Sequence, residues 1–409
     1  MRIRTAKGKG AGIAILAIAL AALLLFTACG PATRPTEKEK VVRIGWISAL
    51  TGPAAGPTQY AHWVIEDYIK YANDENLVPG VTLVLDWEDG MLDLVRELSA
   101  YRKMVDRGDP IIIGIADAAA FRKLVEKDQT PLLNMAISPE SIYPPSWTYS
   151  VFPLWEESFS VWAQWVVDNW KEDRPPRVGL IGPDEVSGPP SMERAKPYVE
   201  ELGMELLPSE LIPWVPLDTT TQLLRLKDRD ADYIYICAIW TTAVPVLKDA
   251  ERLGLLKDIQ FSGAENTQSQ GLLKAMGATV EGYAAPRIYP WWQETDYPGI
   301  KLLQDMRRSY GGRFDFQGDE ANTLAFVVVA VEAVKRAMEK VGYENLDGPA
   351  VKEGLDSIKD FDFYGIKKLS YTLEDHRGTN TAKIYMIQGG QPVPVSDWIV
   401  APMLMPEEG

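Results

Sequence analysis

Few residues of this chain carry the side chains that ordinary catalysis needs. Among 409 residues there are two histidines, His62 and His376, and two cysteines, Cys29 and Cys237. His62 stands beside Trp63 in an amphipathic stretch, and His376 stands in the turn Glu374-Asp375-His376-Arg377-Gly378. Both positions suit a structural imidazole better than a proton shuttle. Cys237 lies inside the apolar run 233–239, which predicts a buried structural thiol and not a nucleophile. Carboxylates are abundant, in Asp86-Trp87-Glu88-Asp89, Glu156-Glu157 and 228–232, but such runs ordinarily form solvated faces or strand-end turns, and no acid/base pair is assigned. The sequence contains no HExxH, GxSxG, P-loop or cysteine-pair pattern. Gly8, Gly10 and Gly12 follow no strand. The expectation is a protein that is not an enzyme and that uses no metal or cofactor.

Cys29 has a different chemistry. Arg2, Arg4, Lys7 and Lys9 make a basic segment, residues 11–26 make an apolar run shorter than a bilayer-spanning helix needs, and Thr27-Ala28-Cys29-Gly30 follows. Small residues before a cysteine let the chain enter a peptidase cleft extended, and the thiol then serves as a lipid attachment point. The segment is similar to a bacterial lipoprotein export signal, with Phe26 where that pattern usually has an aliphatic residue. An uncleaved membrane helix is the alternative. Loss of the signal removes four positive charges and takes the net charge from −15 to −19, so nucleic acid and anionic lipid surfaces are expected to be repelled. Lipidation would leave Cys237 as the sole thiol, so no disulfide is expected within the mature chain.

Residues 30–40 are polar and contain prolines without periodicity, which predicts a flexible tether. From residue 41, β-branched runs at 41–48, 81–87 and 111–115 alternate with amphipathic stretches at 58–73 and 92–106. Ala61, Val64, Ile65, Tyr68 and Ala72 share one helical face. Continuous apolar strands between helices predict a parallel sheet covered on both faces. After residue 153 the pattern restarts, with helices at 158–170, 191–202, 220–227 and 243–253 and strands at 177–181, 205–212, 232–239, 259–261 and 280–283. Further helices follow at 300–310 and 320–341, and short strands with turns at Gly378 and Gly389-Gly390 close the chain.

The motif order resembles that of the branched-chain amino-acid (Leu/Ile/Val) binding proteins of ABC importers, which have the type I periplasmic-binding-protein fold. Ile44-Gly45-Trp46-Ile47-Ser48-Ala49-Leu50-Thr51-Gly52-Pro53-Ala54-Ala55 matches the family's opening strand and turn. Ile111-Ile112-Ile113-Gly114, the segment 218–226, Ala231-Asp232-Tyr233, Ala250-Glu251-Arg252-Leu253-Gly254-Leu255 and Phe261-Ser262-Gly263-Ala264-Glu265 follow in the family's order and spacing. The resemblance runs from residue 41 to the end. It implies an α/β fold of two doubly wound parallel-sheet lobes, a ligand cleft between them and three crossings, near 152–155, 285–289 and 379–383. The lobes then comprise 41–152 with 288–379, and 153–287 with 380–409. The implied partners are a small-molecule ligand, an amino acid or related amide or amine, and a membrane permease, the protein itself being monomeric and held to the cell membrane from outside by Cys29. A receptor domain reporting to a signalling protein would look the same.

In that family an acidic residue holds the ligand's ammonium group, and Glu265 falls on that position. Ser138 falls where a small hydroxyl residue donates to the ligand carboxylate. Residues 116–120 stand where the family has serines but carry no hydroxyl, so an anion there would rest on backbone N–H groups at a helix starting from Ala118, for which Asp117 competes as a cap. Pro57 and Ser187-Gly188 replace cleft tyrosines of the family. Trp240, after the strand end at Ile239, and Trp155, past the first crossing, serve either as core and hinge packing or as walls against which a ligand stacks.

Overall fold

The computed structural model describes residues 39–52, 55–114, 118–135, 138–313 and 315–404. Cys29, Asp117, the tether up to residue 38 and the side chain of Pro57 lie outside the described residues.

The first sheet is built from β1 (Val41–Ser48), β2 (Thr82–Asp89), β3 (Ile112–Ile113), β4 (Leu132–Leu133) and β5 (Thr148–Tyr149), in the order β2-β1-β3-β4-β5 with every pairing parallel. Alternation along β1 sends Val42, Ile44 and Trp46 to one face, where Val64, Ile65 and Tyr68 of the helix Ala55–Asp74 meet them. Ile47 points to the other face, against Tyr101 and Met104 of the helix Leu94–Arg107. Burial on both faces is why this strand reads as an apolar run interrupted only by the exposed Arg43. The second helix is bounded by Asp93, whose side chain accepts from the Arg96 N–H, and by Gly108 in the left-handed region at φ 81°.

The second sheet takes β6 (Arg177–Gly182), β7 (Glu205–Leu206), β8 (Glu210–Leu211), β9 (Tyr233–Ile236), β10 (Gln260–Gly263) and β11 (Ala284–Arg287), with the parallel order β7-β6-β9-β10-β11 and β8 also on β6. A separate antiparallel ribbon pairs β12 (Phe361–Phe363) with β13 (Lys367–Leu369). The chain then returns to the second sheet, where β14 (Thr381–Gln388) runs antiparallel to β11 and is joined by β15 (Gln391–Pro394) and β16 (Ile399–Val400). Gly389 and Gly390, at φ 58° and 73°, make the two-residue turn between β14 and β15, a backbone shape that few other residues adopt.

Three local expectations need correction. The strand at 205–212 is split into β7 and β8 around Pro208, which has no N–H to give a ladder. The helix at 191–202 is two short helices, Pro189–Glu193 and Lys196–Glu201, the second restarting with Pro197 in its first turn. The strand placed at 280–283 begins only at Ala284, because Gly277–Val280 forms a 3-10 turn and Gly282 takes φ 80°.

The chain passes between the sheets three times, and the crossings are bonded to one another. Ser150 N–H donates to the His376 carbonyl at 2.8 Å, Tyr371 Oη donates to the Ser150 carbonyl at 2.8 Å, and Tyr289 Oη donates to the Val151 carbonyl at 2.6 Å. Buried Arg377 joins Glu157 at 2.7 Å and Asp375 at 2.7 Å. The other oxygen of Glu157 accepts from the Leu154 N–H, where the helix Trp155–Asn169 begins. His376 stacks on Tyr149 with ring centres 4.0 Å apart, and burial pushes its imidazole down to about 4. It is a neutral structural group of the crossings.

Candidate functional site

A pocket opens where the first crossing meets the ends of strands from both sheets. Met135, Phe152, Trp155, Met192, Tyr235 and Ile288 give it mainly apolar and aromatic walls, and Glu265, Asn266 and Ser158 add polar groups. Such a site needs few polar groups to fix a ligand's orientation.

Glu265 opens the 3-10 turn Glu265–Thr267 just past β10. That turn is tied down by local chemistry. Thr267 Oγ1 donates to the Ala264 carbonyl at 2.6 Å, Tyr283 Oη donates to Thr267 Oγ1 at 2.8 Å, and the Ala264 N–H donates to Ile236 at 3.0 Å. Gly263 leaves no room for a β-carbon, which would collide with Tyr283 Oη. Glu265 Oε1 accepts from the Ile288 N–H and from Asn322 Nδ2, each at 3.1 Å. Burial pushes its carboxyl up to about 7 despite the opposing pull of Arg287, and the Asp319 charge adds to the upward shift.

Arg287, at the end of β11, is fully buried beside it. Its guanidinium donates to Asp319 Oδ1 at 2.7 Å, to the Gln268 carbonyl at 3.1 Å and to the Gly318 carbonyl, and it lies 4.8 Å from the centre of the Trp291 ring. Asp319 immediately precedes the helix Glu320–Val341. Glu320 is also buried, accepts from the backbone N–H groups of Gln317 and Gly318, and is pushed up to about 7 by burial. The Gln270 N–H donates to the Gln317 carbonyl at 2.8 Å, so a backbone bond also joins the two sides.

Of the residues singled out from the sequence, Glu265 and Trp155 line this pocket together. Ser138 precedes the short helix Pro139–Ile142, is buried, and its hydroxyl has no partner, while its carbonyl accepts from Ser141. It is not among the pocket-lining residues. Ala118 is buried at the start of the 3-10 turn Ala118–Phe121, likewise away from the lining. Trp240 begins the helix Trp240–Arg252, and its ring packs so closely on Gly271 that a β-carbon there would meet it at 2.6 Å. The structure thus sets Trp240 in the apolar cluster of the second lobe. Cys237 is buried, and burial raises its thiol well above the usual range.

Sequence reading missed Arg287, Asp319, Glu320 and Asn322. A signal existed for the first: an arginine in the otherwise apolar stretch around β11 is a buried charge in need of a partner. Among the described residues no cluster of His, Cys, Asp and Glu has the arrangement of a metal site, and no helix is long and apolar enough to cross a membrane.

The fold has many solved counterparts. A branched-chain amino-acid ABC transporter protein of Thermus thermophilus, solved with bound valine, is 24% identical, with a TM-score of 0.81 over 90% of this chain and 98% of its own. A fatty-acid ABC transporter substrate-binding protein of Thermomonospora curvata is 19% identical, with a TM-score of 0.78 over 89% of this chain and 93% of its own. A possible leucine/isoleucine/valine-binding protein of Rhodopirellula baltica SH 1 is 14% identical, with a TM-score of 0.76 over 89% and 98%. No curated protein sequence matches the chain significantly. The periplasmic binding protein family model matches residues 41–391. With two α/β lobes, three bonded crossings and a pocket between them, the chain belongs to the periplasmic binding protein family, in its type I fold.

Proposed function

We propose that this protein is the extracytoplasmic substrate-binding component of an ABC importer, which captures an amino acid or related small amide or amine between its lobes and delivers it to a membrane permease. The observation that carries the reading is Glu265: a carboxylate set at the end of a buried strand, beside an apolar and aromatic pocket, with one oxygen held by protein donors and the other open. A carboxylate so placed gains from a ligand that brings N–H groups or positive charge. The lobes are taken as 41–152 with 288–379, and 153–287 with 380–409. Rotation about the three crossings would close the cleft. The lipid anchor on Cys29 and the tether 30–40 would hold a monomer near its permease. The same anchor places it outside the cytoplasm.

The test is identification of the ligand. Protein purified without refolding, then denatured, should release a small compound with a nitrogen donor and an apolar portion, identified by mass spectrometry. The same compound should raise the melting temperature when added back, since it binds only the folded chain. Release of a compound with no nitrogen would overturn the reading of Glu265.

A further inference from the structure

A second hollow, of about 550 Å³, opens beside the helix Pro298–Tyr310 and shares no lining residue with the pocket at Glu265. Its volume is that of an ordinary small-molecule site. Trp292, ahead of the helix, and Phe316, after it, form one wall, their rings stacked with centres 5.0 Å apart and planes 12° apart. The chain turns back at the end of the helix because Gly311 and Gly312 both take left-handed backbone, at φ 108° and 55°. Both glycines line the hollow and bring no side chain to fill it. Gln304 Nε2 donates to the Trp292 carbonyl at 2.8 Å, which ties the segment before the helix to its middle turns.

The remaining wall is cationic. Arg307 and Arg308 also line the hollow, and the Arg307 guanidinium lies 4.8 Å from the centre of the Phe316 ring, so charge and aromatic surface stand side by side. An ion pair joins Arg307 to exposed Asp315 at 3.3 Å, and Arg308 pairs with half-exposed Asp305. Pairs between exposed groups contribute little, so a ligand anion can take the place of either carboxylate. Arginines in a last turn also suit the negative end of a helix. That role accounts for the charges but not for the half-buried indole of Trp292 in the same hollow.

We propose that this hollow is a second binding site, for a small planar organic anion, an aromatic carboxylate being the simplest. The ligand's ring stacks on the wall of Trp292 and Phe316, and its carboxylate takes the two guanidiniums. A guanidinium is a flat fork of donors that matches a carboxylate and also lies against rings, so Arg307 serves both parts of such a ligand. Phe316 is followed directly by Gln317, Gly318 and Asp319, which bond to Gln270 and Arg287 next to Glu265, so one short segment connects the two sites. The proposal is independent of the reading of Glu265, and its failure leaves that reading standing.

Three probes of similar size separate ring from charge: benzoate, benzamide, which keeps the ring without the charge, and cyclohexanecarboxylate, which keeps the charge without the flat ring. By isothermal titration calorimetry at millimolar ligand, the unsubstituted protein should bind benzoate about tenfold more tightly than benzamide and about threefold more tightly than cyclohexanecarboxylate. Arg307→Gln should weaken benzoate about tenfold and benzamide less than about threefold, so that the preference for charge collapses. Arg308→Gln, at a more exposed position, is the second variant if the first lowers the melting temperature. Trp292→Leu should erase the preference for benzoate over cyclohexanecarboxylate, and a preference that survives it overturns the stacking wall. Benzoate binding that is unchanged in both arginine variants lies elsewhere and overturns the proposal. So does equal binding of benzoate and benzamide, or no benzoate binding at all, which leaves Arg307 and Arg308 as helix-end charges only.

Discussion

Around Glu265 the pocket is wrapped in partners: Ile288 and Asn322 on one oxygen, with Arg287 bonded to Asp319 nearby. Around Ser138, three residues past the lining residue Met135 but outside the lining itself, the hydroxyl is buried without a partner. One side has its charges organised before any ligand arrives. The other holds a neutral donor in reserve. The difference teaches that removing a group bonded around Glu265 should disturb folding and binding together, whereas removing the Ser138 hydroxyl should leave folding undisturbed.

The largest effect is expected from Arg287→Met. It leaves Asp319 buried without its cation, and breaking a buried pair in this way costs about 3–5 kcal/mol. Urea denaturation should register that loss. A variant as stable as the parent would show that the organised side is not organised by Arg287.

Next is the pH response of Glu265. Its carboxyl is raised from the ordinary 4.5 to about 7, so the stability linked to its neutral form is complete below pH 4.5 and is lost as pH rises through 7. Glu265→Gln should therefore gain stability relative to the parent between pH 5 and pH 7.5, in melts followed by circular dichroism. A ligand cation should bind the parent more tightly at pH 8 than at pH 6, because it favours the ionised carboxylate. A flat difference between parent and variant across that range would contradict the buried-charge account.

Ser138→Ala sharpens the other half of the comparison. With no bond to lose in the folded chain, it should change the melting temperature little, yet weaken a ligand that uses the hydroxyl by roughly 1 kcal/mol, about fivefold. The smallest effect on the pocket is expected from Cys29→Ser, which should release soluble protein from membranes with affinity unchanged, measured on the membrane and soluble fractions. Loss of affinity would contradict the tether.

Much of the scaffold was legible without coordinates. Hydrophobic periodicity marked β1 and the helix packed on it, because burial on both faces of a parallel strand leaves few polar positions in the run, here Arg43 and Ser48. The helix Glu320–Val341 is equally plain for its apolar length, and the turn after β10 placed Glu265 beside a strand end. Trp240 was ambiguous for a physical reason: an indole beside a strand end packs equally well on a glycine or a ligand, and only the approach of Gly271 distinguishes them. Broken segments were misread where proline interrupts a run whose periodicity continues across it.

By itself the sequence determined the alternation of strands and helices, the scarcity of catalytic side chains, the acidic balance and the position of Glu265 after its strand. These follow from local pattern and composition. Only the tertiary structure decided what surrounds that carboxylate. Arg287, Asp319 and Asn322 stand 22, 54 and 57 positions beyond Glu265 in the chain, and no short-range rule brings them together. The second-sheet strand β11, the crossing after it and the packing of the helix Glu320–Val341 do, and burial then turns their separation in sequence into shared charge and hydrogen bonds.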